Sequence, residues 1–346
     1  MLPYFLVLSF VLFWILFEQK TLRRTAFWVP LIVLSLFAGM RSHRVGTDSG
    51  TYTKDFRNSL DIYNFEFEEL IEPGYQFLEY TLLRLTNEYY WLFFITALIV
   101  VYCYLTIIKK YSVNYWFSVF LFITLGVYTF FFNGLRQGLA MAIFALALPS
   151  LLEKRLVSYI VICFLASLFH TTALFMIPFY FLVNLRIKPI YKILATFLGS
   201  LFVSRFLIEY ISASNDRYES YAAADQEGGG YVTLGFYTLL IFVLYLIIRI
   251  YNIRDKQFMQ LFTFYAIGVV FIIPIALLGG NPSGPQRLLT YFTWTLVLIL
   301  PIVFKRINNI YITSLAVILF IIYFTLTTSA FSNLSPYIIN PIFEIF

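Results

Sequence analysis

The chain has 346 residues, 61% of them apolar and 12% charged, with a net charge of +6. With no long polar segment, that composition excludes a soluble domain of ordinary make-up. The basic residues are spread over several short connectors, so the positive charge speaks for membrane insertion and anionic lipid rather than for nucleic acid.

About a dozen apolar stretches are long enough to be read as crossing a bilayer core. They lie at 1–17, 26–40, 91–108, 115–132, 135–152, 156–169, 172–185, 190–208, 231–249, 258–277, 288–304 and 309–329, and they make residues 1–346 one integral membrane domain. Basic residues precede none of the first span and follow it at Lys20, Arg23 and Arg24, so it is expected to insert with its N-terminus out. It lacks a basic n-region and an A-x-A-like site, so no removable signal peptide is read. Later connectors carry Lys109 and Lys110, Lys154 and Arg155, Arg186, Lys188 and Lys192, Arg249, Arg254 and Lys256, and Lys305 and Arg306. The positive-inside bias assigns all of them to the cytoplasm, where 15 basic residues face three acids. The other face then holds nine basic and 15 acidic residues, and both termini. Cys103 and Cys163 fall within spans and are expected to be small buried apolar groups.

The first long external loop, 41–90, opens RSHRVGTDSGTY. Gly46 and Gly50 allow a turn that exposes Asp48 for chemistry or simply accommodates an ordinary loop acid, with Tyr52 one helical turn on. In EPGY, Pro73 after Glu72 fits a helix start, where an acid is favourable. From Glu72 onward Tyr75, Phe77, Leu78, Leu82, Leu83 and Leu85 recur at near-helical spacing, which predicts an interfacial helix anchored by Tyr89, Tyr90 and Trp91. In FFFNGLRQGLA, Asn133, Arg136 and Gln137 open an otherwise apolar helix. An arginine there is costly unless it faces an aqueous cavity, and a helix N-terminus adds positive potential, so this end suits an anion such as a diphosphate. The alternative is an arginine that snorkels to the interface. His170 lies at the outer junction of two spans, as a structural hydrogen-bonding group or a catalyst. The second long external loop, 209–231, ends in three glycines and reads as flexible. Finally, in GGNPSGPQRLLTYF, Gln286 and Arg287 repeat the amide–guanidinium pair at an external helix start, and two such sites can clamp one diphosphate.

The succession RxxRVGTDxxxY, EPGY, NGLRQGLA, HTT and PQR, from Arg41 to Arg287, resembles the EpsG-like family of bacterial exopolysaccharide proteins, among the Wzy-type polymerases. The resemblance implies a helical membrane glycosyltransferase of GT-C-like architecture in the bacterial cytoplasmic membrane, with its active site on the periplasmic or extracellular face. It implies a polymerase of O-antigen, capsule or exopolysaccharide that transfers a glycan from undecaprenyl diphosphate to a sugar hydroxyl of another lipid-linked repeat unit. Membrane lipids and a chain-length regulator protein are the further partners it suggests.

The residues fit that reaction. Guanidiniums stabilise the charge developing on a leaving diphosphate, and a carboxylate or imidazole takes the proton of the attacking hydroxyl. Arg136 and Arg287 are the expected diphosphate ligands, with Arg44 auxiliary; Asp48 or His170 is the expected base, and Glu72 the reserve. Asn133, Gln137, Gln286 and Tyr52 would orient phosphates or sugars. No metal-ligand spacing or Gly-rich nucleotide loop is evident, so neither metal nor cofactor is expected. A lipid-linked glycan flippase, an O-antigen ligase and a membrane acyltransferase acting on glycans are the competing functions.

Overall fold

The computed structural model describes residues 1–213, 231–277, 285–331 and 333–344. The α-helices run in chain order as α1 (Leu2–Thr21), α2 (Trp28–Gly39), α3 (Ser49–Tyr52), α4 (Lys54–Arg57), α5 (Pro73–Leu83) and α6 (Tyr90–Tyr111). There follow α7 (Tyr115–Thr124), α8 (Phe130–Asn133), α9 (Leu135–Ala145), α10 (Leu148–Leu152), α11 (Leu156–Ser167) and α12 (Ile177–Asn184). The last are α13 (Pro189–Ala213), α14 (Tyr231–Ile250), α15 (Lys256–Leu277), α16 (Thr290–Thr293), α17 (Leu296–Ile307) and α18 (Ile310–Leu326). Short 3₁₀ turns join several of them, and among the described residues the one extended pairing is an isolated bridge between Arg41 and Ile339.

Helix begins where a polar side chain or a proline can serve the unpaired amides of a first turn. Asn114 accepts from the Phe117 N–H, Asp255 from Phe258, and Asn309 from Tyr311 and Ile312. At the other ends Lys192, itself buried, donates to the Val183 carbonyl at 2.6 Å and so satisfies one orphan acceptor in the last turn of α12.

Twelve uninterrupted spans are not what the described residues form. Five helices are long and apolar enough to cross a membrane, or six if Gln286–Thr293 and Leu296–Ile307, bent by 46°, make one crossing. Six further apolar helices have 10–17 residues. The expected segments all contain helix, but several are interrupted for local reasons. The stretch 115–132 stops at Thr124, because Gly126 turns the chain with φ +76°; the Tyr128 N–H then returns to the Phe122 carbonyl and its hydroxyl donates to Leu34. The stretch 135–152 divides before Pro149. In 288–304 the Thr295 hydroxyl takes the Phe292 carbonyl at 2.6 Å, where a helical amide would otherwise bond. Broken backbone at membrane depth is tolerated only when such internal partners replace water.

α6 and α15 form the centre, with 61% and 72% of their apolar windows buried against 22%, 22% and 11% for α1, α14 and α18. The last three therefore make the lipid-facing rim. Aromatic rings fill the middle, Tyr104 against Trp294 with centroids 5.5 Å apart and Phe144 against Tyr291 at 5.6 Å. Cys103 and Cys163 are both buried and unbridged, as their positions in apolar stretches suggested.

Contacts gather the helix ends into two groups. The Met1 ammonium donates to Ser335, Tyr4 to the Leu334 carbonyl, and the Gly46 N–H to Asn333. The loop after α2, the start of α1 and the C-terminal segment thus share one end, joined by Tyr90 at the start of α6 through its ring contact with Phe343. Lys109 and Lys110 lie about 30 Å away along α6, at ~1.5 Å per residue. There Gln257 reaches the Tyr111 carbonyl and Gln260 that of Leu152, close to Lys154 and Arg155. The basic connectors around α6, α10 and α15 therefore belong together, as the charge pattern required.

Arg41 opens the first long external loop of the sequence, yet it is not an exposed loop residue. It is fully buried, donates to the Ala38 carbonyl at 2.6 Å, and lies 3.6 Å over the Phe93 ring and 4.2 Å over Phe132. It closes the end of α2 and clamps aromatic rings, a structural role for a desolvated guanidinium.

Candidate functional site

Eight of the ten predicted residues converge where three chain breaks meet. The first break follows α2, where Gly46 takes φ +101°. A Cβ there would stand 2.6 Å from the Phe132 carbonyl oxygen and 2.8 Å from Asn133 Oδ1, so the position admits only glycine. This close approach lets the Thr47 N–H donate to Asn133 Oδ1 at 2.9 Å and Ser49 Oγ donate to the Phe132 carbonyl at 2.9 Å. Asp48 is left at the head of α3 with no capping bond of its own, its side chain 39% exposed. Its Oδ2 lies 3.7 Å from Arg287 Nη2.

The second break is EPGY. Glu72 and Pro73 do start a helix, α5, but the carboxylate does not cap it. Instead Glu72 Oε2 accepts from Arg136 Nη1 at 2.6 Å, and Oε1 accepts from the Thr171 N–H at 3.2 Å. The pair is largely shielded, with 18% and 9% of the two side chains exposed. Gly74 permits this. Its N–H donates to the Leu168 carbonyl at 2.8 Å, and a Cβ would lie 2.7 Å from that oxygen.

The third break, between α11 and α12, carries His170. Its Nδ1 accepts from the Thr172 N–H at 3.3 Å and stands 2.8 Å from Thr172 Oγ1, which is 3.1 Å from the Tyr291 hydroxyl. A backbone N–H can only donate, which assigns the neutral Nε2–H tautomer. Burial, reinforced by Arg136 and Arg287 and opposed by Glu72, pushes the imidazole down to about 4. His170 is therefore neutral through the whole range in which an ordinary imidazole would titrate.

Arg136 and Arg287 approach the N-terminal end of α9 from different sides. Arg136 occupies its first turn. Arg287 Nη1 lies 3.7 Å from where a Cβ would stand on Gly134. Arg287 was expected to open a helix; it sits instead in a 3₁₀ turn, Pro285–Leu289, ahead of α16, and the glycine-rich turn before it lies at 278–284, outside the described residues. Tyr52 is within electrostatic reach of Arg136, Asp48 and Arg287 together. Asn133 and Gln286 line the same cavity as Arg287. Arg44 is exposed and borders neither cavity described below, and Gln137 is buried in α9 away from both. The loop read at 209–231 is helical to Ala213 and again from Tyr231; 214–230 lie outside the described residues.

Two cavities border the site, and α3 lines the second of them. One, of about 340 Å³, holds Arg287, Gln286, Asn133 and Gly134 among a lining that includes Leu125, Phe130, Leu289, Leu334, Tyr237 and Tyr323. It reaches α14 and α18 on the rim. The other, of about 460 Å³, lies among the elements of the 41–90 loop and borders Arg136 and Tyr52. Glu79 lines it, and sequence reading passed over this residue because α5 was read only for its apolar repeat. The signal was available: Gln76 and Glu79 share the buried stripe of Tyr75, Leu82 and Leu83, while Phe77 and Leu85 point outward. Among the described residues no three His, Cys, Asp or Glu side chains gather as a metal-holding group.

Fold and site together define an all-helical protein with, among the described residues, five to six helices able to cross a membrane and a guanidinium–carboxylate centre at its helix ends. No curated protein and no solved structure matches the chain. The model of the EpsG family matches residues 24–339, nearly the whole length, and the chain belongs to that family.

Proposed function

We propose that this protein is a polysaccharide polymerase that transfers a glycan from undecaprenyl diphosphate to a sugar hydroxyl of another lipid-linked repeat unit, in the making of an exopolysaccharide, capsule or O-antigen. Membership in the EpsG family supports a polymerase-related function. The observation that carries the finer reading is the 340 Å³ cavity, which joins a guanidinium at one wall to a lipid-facing rim at another. A diphosphate with a long apolar tail needs both.

In the mechanism this supports, Arg287 binds the diphosphate in the first cavity, Arg136 adds a second positive charge from the boundary with the neighbouring cavity, and the N-terminal amides of α9 add positive potential. Glu72 holds Arg136 in place through the 2.6 Å pair. The loose 3.7 Å contact of Asp48 with Arg287 gives way to the phosphate, leaving Asp48 free to accept. The acceptor oxygen then attacks the anomeric carbon and its proton passes to Asp48. The bond from that carbon to the diphosphate oxygen breaks, and the electron pair leaves with the lipid diphosphate, whose charge the guanidiniums stabilise. His170, neutral, orients its neighbours. Asn133, Gln286 and Tyr52, which line the two cavities, remain candidates for binding phosphate or sugar; Arg44 and Gln137 do not line them.

The positive-inside bias puts the site on the outer face of a bacterial cytoplasmic membrane, with both termini external. The six shorter apolar helices would complete a bundle of twelve crossings related to the GT-C enzymes, with a chain-length regulator as partner. Labelling checks the orientation. With both native cysteines buried, an impermeant thiol reagent added outside is expected to label Asn58→Cys and not Lys110→Cys; the reverse pattern overturns the topology. Function is tested by adding a lipid-linked repeat unit to the purified protein in vesicles. A ladder of longer glycans is expected, and donor binding without a ladder would remove the polymerase assignment.

A further inference from the structure

The second cavity differs from the first in charge and polarity. Its walls carry Asp55, Glu66, Glu68 and Glu79 against Lys54 and Arg136, so it disfavours a diphosphate; it is too polar for a lipid chain. Its 460 Å³ falls within the roughly 300–1,000 Å³ usual for small-molecule sites. Its rim is fastened: Gln76 Oε1 accepts from the Glu68 N–H at 2.7 Å, and Nε2 donates to the carbonyls of Glu68 at 2.8 Å and Ile71 at 2.6 Å. Glu79 is only 9% exposed and makes no ion pair among the described residues; the Tyr75 hydroxyl is its hydrogen-bonding neighbour, and the carboxyl keeps capacity for further partners.

We propose that this cavity is an acceptor-saccharide subsite, in which Glu79 and the neighbouring carboxylates bind hydroxyls of a neutral glycan beside the rings of Tyr52 and Tyr75. The inference rests on the polymerase reading and deepens it. Carboxylates are acceptors for vicinal hydroxyls, and aromatic rings offer apolar faces to a sugar. Burial, with Asp55 and Glu68 adding to it and Arg136 opposing, pushes the Glu79 carboxyl up to about 8. Near neutral pH it then carries its proton and both donates and accepts, as a sugar hydroxyl does. The position is also the one a transfer needs. Asp48 heads α3 on the Arg287 side, while Thr51 and Tyr52 of the same helix line the second cavity, so donor and acceptor would meet across one helical turn.

The probe is the repeat-unit oligosaccharide released from its lipid by mild acid, titrated against purified protein in vesicles by calorimetry, with polymerisation of lipid-linked unit measured separately. Wild type is expected to bind the free oligosaccharide saturably. Glu79→Leu should weaken that binding by about tenfold or more, since a buried hydrogen-bonding group is lost, while Glu79→Gln retains most of it. Thr51→Trp, at an exposed position on the cavity wall, should block saccharide binding and leave lipid-linked donor bound. Unchanged oligosaccharide affinity in Glu79→Leu and Thr51→Trp overturns the subsite, even where wild type polymerises. Saccharide binding lost in both variants supports the subsite, even where wild type makes no ladder and the polymerase reading fails.

Discussion

Arg287→Lys is expected to lower polymerisation about 10²–10³-fold, the usual loss when one preorganised donor to a developing oxyanion is removed. Charge is retained, but an ammonium on a flexible stem cannot present the planar fork that meets two phosphate oxygens at once. Arg136→Lys should lose activity to a similar degree for an added reason. Its Nη1 already holds Glu72 at 2.6 Å in a shielded pair, so a shorter cation cannot serve Glu72 and a phosphate together. Arg136→Ala goes further and leaves Glu72 as a buried uncompensated charge, a cost of roughly 3–5 kcal/mol. Glycan ladders from vesicles with matched protein content measure the first effect, and thermal unfolding in detergent the second. Near-native chain lengths from well-expressed lysine variants would reduce both arginines to snorkelling residues.

Asp48→Asn is expected to abolish polymer while lipid-linked donor still binds. The amide keeps the shape but loses the oxygen that takes the proton, and positioned proton transfer contributes about 10²–10⁴-fold. His170 is the competitor, and its environment decides what a pH profile can show. An imidazole with an ordinary titration would switch activity on through about pH 6–7. With its value lowered to about 4, His170 is already neutral above pH 5, so activity should not rise through pH 6–7 on its account. The pair of variants decides instead: persistent polymerisation by Asp48→Asn beside an inactive His170→Ala would reverse the assignment.

Glu72 illustrates what a linear reading can and cannot resolve. Acid followed by proline predicts a helix start, and α5 does start there. That the carboxylate turns away from its own helix to Arg136, 64 residues distant, depends on Gly74 lying against Leu168, a contact between segments with no shared local signal. Arg41 and Arg44 make the same point in reverse. Three residues apart in one motif, they are indistinguishable by type; one is sealed among Phe93 and Phe132 and the other is exposed. The order of the motifs sufficed for the family resemblance, because family membership depends on which residues follow one another.

The sequence by itself determined the helical membrane class, the clustering of basic residues in alternate connectors, and the short list from which the site is drawn. Those follow from quantities that add along the chain: apolar length against bilayer thickness, and basic residues counted connector by connector. Only the tertiary structure decided where spans break, which arginine is structural, that Glu72 compensates Arg136, and that Glu79 borders a second cavity. Each depends on backbone and side-chain groups from distant segments satisfying one another where water is excluded. A buried polar group must find its partner wherever the fold brings one, and linear order does not record that.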